Sequence, residues 1–320
     1  ELSGKEVTVI GAARSGRAVA RLLADAGAAV FVTENAAARP GVEAEFARQG
    51  IGYEFEGHTK RALEADFIAL SPGVPLSIDI VEQARTREIP IYGEIEVASW
   101  FCRAPIVAVT GTNGKTTTTR LLEHVFQTAG RKHRVAGNIG MPFSSVVQEL
   151  DEDGTAILEV SSFQLDTVDQ FRPAVSVLLN ITPDHLKRYG GSFEAYVRSK
   201  CRIYENQRSP DVLIYNRDDQ HVVEAVEALS NTEAPRLMAI SCEQAVTSGG
   251  FIRPGGRDVI ALNVESQEEE LMAVDELALR GRHNTYNSLA AAVAARVRDI
   301  HNDDIRRSLK TFGGVAHRLE

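Results

Sequence analysis

Apolar residues in the first hundred positions fall in short runs separated by amphipathic stretches. Residues 7–10 (Val-Thr-Val-Ile) read as a strand running into a glycine-bearing turn at 11–16. The spacing of Ala18, Leu22, Leu23 and Ala26 then predicts a helix closed by Gly27. Residues 29–33 and 67–70 read as further strands, the latter leading into Ser71-Pro72-Gly73. Strand–helix–strand alternation predicts a parallel sheet covered by helices on both faces. A second, stronger cycle starts at Ile106, with strands predicted at 106–110, 156–160, 175–179 and 212–215. From 248 to 263, glycine-rich turns between short strands predict a small hairpin at the edge of the second domain. A helix over 304–312 leads to a hinge at Gly313-Gly314. The domain boundary is expected at Arg103-Ala104-Pro105, where proline ends the preceding helix.

Composition narrows the class. The chain has 320 residues, 43% hydrophobic and 25% charged, enough for two domains with real cores. A net charge of −9 disfavours a broad nucleic-acid surface. No apolar run is long enough to insert in a bilayer, and the first residues lack a signal-peptide pattern. Cys102, Cys201 and Cys242 lie far apart without metal-ligand spacing, as in a reduced, cytoplasmic protein.

The sharpest chemical signal is Val107-Ala108-Val109-Thr110-Gly111-Thr112-Asn113-Gly114-Lys115-Thr116-Thr117. A buried strand enters a glycine loop, and a helix with Leu121, Leu122, Val125 and Phe126 on its apolar face leaves it. Glycines let backbone N–H groups close on phosphate oxygens, helped by the partial positive charge at the helix N-terminus. Lys115 is placed to reach the β/γ-phosphates of ATP, and the Thr116 hydroxyl to bind Mg²⁺. The general pattern has its first glycine where Val109 stands, so this loop departs from it.

Other positions admit two readings. Glu159 closes an apolar strand, so its carboxylate needs either a structural arginine or a metal and hydrogen bonds. Asn180-Ile181-Thr182-Pro183-Asp184-His185 follows another strand and is a turn or part of a crevice at the strand ends. A helix over 193–205 puts Phe193, Tyr196, Val197, Lys200 and Tyr204 on one face; Lys200 either snorkels to water or is buried with a lowered pKa. Asn138 is a turn residue or a ligand contact. His283 and Asn284 cap an alanine-rich helix or face a ligand. In the first domain Ala13 occupies the middle-glycine position of GxGxxG, which disfavours a nicotinamide cofactor.

The string GTNGKT after a strand resembles the Mur ligase and folylpolyglutamate synthetase superfamily. EVSSFQL at 159–165 is similar to the segment of its D-glutamate-adding branch, where Phe163 stands in place of a histidine general in the tripeptide-forming branches. The resemblance spans almost the whole chain. It implies an α/β fold: a Rossmann-like UDP-binding domain at 1–103 and a central P-loop ATPase-like Mur ligase domain with a mostly parallel sheet at 104–313. Residues 314–320 would begin a third domain.

The same resemblance implies the roles. ATP would lie on Gly111, Thr112, Asn113, Gly114, Lys115, Thr116 and Thr117, with Asn284, Asn287 and Arg318 also near the nucleotide. Thr116 and Glu159 would hold one Mg²⁺; His185 and a carbamylated Lys200 would hold a second. The UDP part would meet Arg14, Ser15, Glu34, Asn35, Ser71 and Gly73; Asn138, Ser161 and Gln164 would contact the muramoyl-peptide. Family members more often carry aspartate at the position of Glu34.

The implied activity is ATP-dependent ligation of D-glutamate to UDP-N-acetylmuramoyl-L-alanine through an acyl phosphate, by a cytoplasmic and monomeric enzyme of peptidoglycan precursor synthesis. Two rivals are a related ligase with another amino-acid substrate and a non-catalytic nucleotide-binding protein. The 320 residues as given are expected to bind UDP-substrate without completing ligation.

Overall fold

A computed structural model describes residues 2–229, 234–265 and 267–314. The chain divides into two compact units. One comprises Glu1–Cys102, Met141–Glu149 and Phe163–Phe171; the other comprises Arg103–Gly140, Leu150–Ser162 and Arg172–Glu320.

The first unit holds five parallel strands: β1 (Glu6–Ile10), β2 (Ala29–Thr33), β3 (Gly52–Glu54), β4 (Phe67–Leu70) and β5 (Ile91–Gly93), in spatial order β3-β2-β1-β4-β5. The order reverses between β1 and β4, and ligands of open parallel sheets bind where strand ends part in this way. Val7, Val9, Val30 and Val32 fill one core with Val19, Leu23 and Phe46; Ile10, Ile68 and Leu70 face a second core with Ile80 and Ala84.

Several sequence expectations change here. Strands β3 and β5 were not anticipated, since each has three residues and little apolar pattern. The predicted turn at 11–16 is shorter, because the helix already starts at Arg14 and runs Arg14–Asp25. Gly16 lies inside that helix because a Cβ there would sit 1.8 Å from the Gly11 carbonyl oxygen. The helix before Pro105 ends at Ser99, so proline does not terminate it.

The second unit is a nine-stranded sheet: β6 (Ile106–Thr110), β7 (His133–Gly137), β8 (Thr155–Glu159), β9 (Val175–Leu178), β10 (Val212–Asn216), β11 (Arg236–Ser241), β12 (Gly249–Arg253), β13 (Val259–Asn263) and β14 (Glu268–Ala273). Its order is β14-β13-β12-β11-β10-β9-β6-β8-β7, parallel from β7 to β12 and antiparallel through β12, β13 and β14. The predicted edge hairpin is β12–β13, extended by β14.

Strands β7 and β11 escape the apolar pattern. The first carries polar residues, and the second is rich in Leu, Met and Ala, which suit helices as well. Helices Lys115–Thr128 and Arg282–Val297 pack on this sheet, the latter through the fully buried run of Ala290, Ala291, Ala292, Val293, Ala294 and Ala295. The chain order reverses at β6, whose carboxyl end carries the glycine loop.

Candidate active site

The 111–116 loop is built by its neighbours as much as by its own glycines. Thr112 N–H donates to the Asn180 carbonyl at 2.9 Å. Asn180 also closes a two-way clasp, its Oδ1 accepting from Asn113 N–H at 2.8 Å and its Nδ2 donating to the Asn113 carbonyl at 3.0 Å. The Thr112 hydroxyl meets the Thr182 carbonyl and the Tyr196 hydroxyl, each at 3.1 Å. Gly114 takes φ +85°, and a Cβ there would lie 2.4 Å from Asn287 Oδ1, so no side chain fits. Helix Lys115–Thr128 starts immediately after it.

Within this frame the expected residues come together. Thr116 Oγ1 donates to Glu159 Oε2 at 2.7 Å, and Asn138 Nδ2 donates to Glu159 Oε1 at 2.8 Å. Glu159 is 1% exposed, and its register partner on β6 is Val109, two residues before Gly111. The alternative of a structural arginine gives way to a hydroxyl and an amide. Lys115 Nζ folds back on the carbonyls of Gly111 and Thr112, both at 2.9 Å. Burial lowers its pKa, opposed by the charges of Glu159 and Asp184.

Lys200 does not snorkel. It is 2% exposed, donates to the Gly111 carbonyl at 2.7 Å, and lies 4.8 Å from the Tyr196 ring centroid. Burial first, and then the nearby Lys115 charge, pull its pKa down to about 7. Its α-helix is shorter than expected, Phe193–Cys201, with a 3₁₀ turn over Arg202–Tyr204.

Thr116 and Glu159 form a hard-oxygen donor pair beside a buried lysine, which fits Mg²⁺. His185 is different. Its side chain is 57% exposed, 3.6 Å from Asp184 Oδ2, in a left-handed backbone conformation. Among the described residues no group of three His, Cys, Asp or Glu side chains is arranged to hold a metal. Asn287 reaches the loop helix through Thr118 Oγ1 at 3.3 Å, while Asn284 Nδ2 donates to the carbonyl of Arg280, just ahead of its own helix. Neither Asn284 nor His283 is the helix cap, which is Gly281. Ser161 is half-buried after β8, and Gln164, in the first unit, is buried. Arg318 lies outside the described residues.

In the first unit a cleft of about 790 Å³ opens at the reversal between β1 and β4, lined by Gly11, Ala13, Glu34, Asn35, His58, Ser71 and Gly73, among others. Four expected residues therefore share one cleft. Both Glu34 oxygens accept backbone N–H groups, from Ala12 at 2.8 Å and Ala36 at 3.0 Å, so this carboxylate shapes the rim. Arg14 instead lines a separate cleft of about 440 Å³ with Arg17, Arg21 and Glu45, and Ser15 is half-buried in the first helical turn.

Sequence reasoning did not single out Asn180, Tyr196 or His58. Asn180 opens the strand-end segment already recognised, and Tyr196 shares the apolar stripe with Lys200, so both carried a signal. His58 carried none.

A glycine loop opening a helix at the reversal point of a parallel sheet, with a buried carboxylate and a buried lysine around it, is the arrangement of a phosphate-binding nucleotide site. The profile of the Mur ligase middle domain matches residues 109–295, and that of the Mur ligase MurD-like N-terminal domain matches residues 5–93. The chain belongs to the Mur ligase family.

Among its relatives is the UDP-N-acetylmuramoylalanine–D-glutamate ligase of Salinibacter ruber, 55% identical over 325 residues, covering 100% of this chain and 70% of that protein. The ligase of the same name from Chloroherpeton thalassium is 42% identical, over 100% of this chain and 71% of that one. The fold resembles the crystal structure of UDP-N-acetylmuramate:L-alanyl-gamma-D-glutamyl-meso-diaminopimelate ligase from Neisseria meningitides, with TM-score 0.65 at 20% identity, over 98% of this chain and 99% of that one. No helix among the described residues is long and apolar enough to cross a membrane.

Proposed function

We propose that this chain carries the UDP-substrate and ATP sites of an ATP-dependent ligase that joins D-glutamate to UDP-N-acetylmuramoyl-L-alanine in peptidoglycan precursor synthesis. The observation that carries the reading is the cluster of Lys115, Thr116, Glu159 and Lys200 around the 111–116 loop. The relatives' shared name and the 159–165 segment support D-glutamate as the incoming amine.

In this reading Lys115 leaves the loop carbonyls to meet the transferring phosphoryl group of ATP, while loop N–H groups and the helix N-terminus hold the other phosphate oxygens. Thr116 and Glu159 would hold Mg²⁺, and His185 and Lys200 would belong to a second metal site. Bound Mg²⁺ supplies neutralisation of the phosphate and carboxylate charges. Lys200, with a substantial neutral fraction, adds CO₂ at Nζ and releases a proton, becoming an anionic carbamate that offers oxygen ligands. Asn284 and Asn287 face the nucleotide. Glu34, Asn35, Ser71 and Gly73 form the uridine cleft, with Arg14 and Ser15 beside its first turn. Asn138, Ser161 and Gln164 contact the muramoyl-peptide.

Equilibrium titration tests the division of labour. Lys115→Ala should abolish measurable Mg-ATP binding while leaving affinity for UDP-N-acetylmuramoyl-L-alanine within about twofold. A comparable loss of both affinities would refute it.

A further inference from the structure

The cleft of the first unit contains a histidine whose hydrogen bonding fixes its chemistry. His58 Nδ1 and Thr33 Oγ1 are 2.7 Å apart, and Thr33 Oγ1 is 2.7 Å from Glu54 Oε1. A carboxylate and a carbonyl can only accept, so the single Thr33 hydroxyl proton goes to Glu54 at 2.7 Å, nearer than the Gly57 carbonyl at 3.4 Å. Thr33 Oγ1 is then an acceptor, and His58 must present N–H at Nδ1.

Glu54 also receives the Thr59 N–H at 2.9 Å and the Thr59 hydroxyl at 2.6 Å, so it is satisfied without an imidazolium. Burial raises the Glu54 pKa, but the Thr59 and Thr33 hydrogen bonds and the neighbouring His58 leave it lower than usual. In its neutral form the ring, donating at Nδ1, carries its lone pair on Nε2. Thr33 is fully buried, and the chain from Glu54 to Thr33 to His58 leaves the ring little freedom to flip.

The loop bearing His58 is fastened beside two expected ligand residues. Glu34 N–H donates to the Glu54 carbonyl at 3.1 Å, Gly57 N–H to the Glu34 carbonyl at 3.3 Å, and Glu56 N–H to the Ala36 carbonyl at 3.2 Å. His58, Glu34 and Asn35 line the same cleft.

We propose that His58 is a base-reading residue of this cleft, its Nε2 accepting a hydrogen bond from the ring N3–H of a uracil-type pyrimidine. This inference rests on the reading that the cleft holds a uridine nucleotide. It adds a reason for the choice of base. Cytosine presents a lone pair at N3, which would face the lone pair of Nε2, so the cleft rejects it.

The test is calorimetric titration of the whole chain with UDP, CDP and N3-methyl-UDP. The wild type should prefer UDP over both. His58→Ala should weaken UDP binding about three- to tenfold, the worth of one hydrogen bond, and bring the UDP and CDP affinities together. UDP binding by the wild type with an unchanged UDP-to-CDP ratio in H58A overturns the role of His58 alone. Failure of the wild type to bind UDP overturns the cleft assignment and this inference with it. ¹⁵N NMR of the wild-type imidazole gives a variant-free check: a bare Nε2 supports the proposal, and a protonated Nε2 overturns it.

Discussion

Two buried glutamates of the first unit make opposite predictions from the same substitution. Glu94 and Glu96 lie on helix Glu94–Ser99 and are 1% and 0% exposed. Glu96 uses both oxygens fully. Oε1 accepts from Trp100 Nε1 at 2.7 Å and Gln170 N–H at 3.0 Å; Oε2 accepts from Asp169 N–H at 2.9 Å and Phe171 N–H at 2.8 Å. An amide in either orientation turns one oxygen into a donor facing two N–H groups. At about 1–3 kcal/mol for each buried donor left unpaired, Glu96→Gln should cost about 4 kcal/mol.

Glu94 receives the Ser144 N–H at 2.7 Å and hydroxyl at 2.6 Å on the same oxygen, an arrangement an amide oxygen can keep. Burial raises the Glu94 pKa above its ordinary 4.5, outweighing hydrogen bonds from Ser144 and Phe143. Glu94→Gln therefore keeps the Ser144 pairing on a carbonyl oxygen and should cost less than about 1 kcal/mol at neutral pH.

The pH dependence has a definite sign. Above 4.5 the unfolded chain releases the Glu94 proton while the folded chain retains it, so the wild type loses stability as pH rises through this window. E94Q lacks that contribution and should gain relative to wild type. Equilibrium urea denaturation followed by fluorescence of Trp100, the single tryptophan, reads the unit that contains both residues. A Glu96→Gln cost below about 1 kcal/mol, or an equal cost for Glu94→Gln, would refute this account of the hydrogen bonding.

Gly114→Ala should disable the nucleotide loop, since it adds a left-handed penalty of about 1–2 kcal/mol and a clash with Asn287; ATP-analogue binding should fall at least about tenfold while UDP binding holds. Unchanged analogue affinity would show that the loop relaxes freely. Labelling with ¹³C-bicarbonate should give a carbamate signal that Lys200→Ala abolishes, and in a ligation-competent enzyme a small added carboxylate should restore part of that variant's activity. A catalytically active, Mg²⁺-bound protein with unmodified Lys200 would sink the carbamate proposal.

The sequence alone determined the parts whose physics is local. Strands 29–33 and 106–110 were legible to the residue because short apolar, β-branched runs are flanked by glycine, Gly27 before the first and Gly111 after the second, which also marks the phosphate loop. Thr116 and Glu159, 43 positions apart, were paired through family resemblance, and their hydrogen bond follows from the β6–β8 register.

Tertiary structure decided the rest. Strands β3, β5 and β7 exist through pairing with a neighbour, because their own residues carry too little apolar signal. Whether Lys200 reached water or was buried could not be read from its helical stripe, since either side of that stripe can face the core. Its burial depends on Gly111, which lies 89 positions away and whose carbonyl accepts its hydrogen bond. The Glu54–Thr33–His58 chain had no sequence signature either. Hydrogen bonds across strand ends select a tautomer only after the sheet has brought those side chains together.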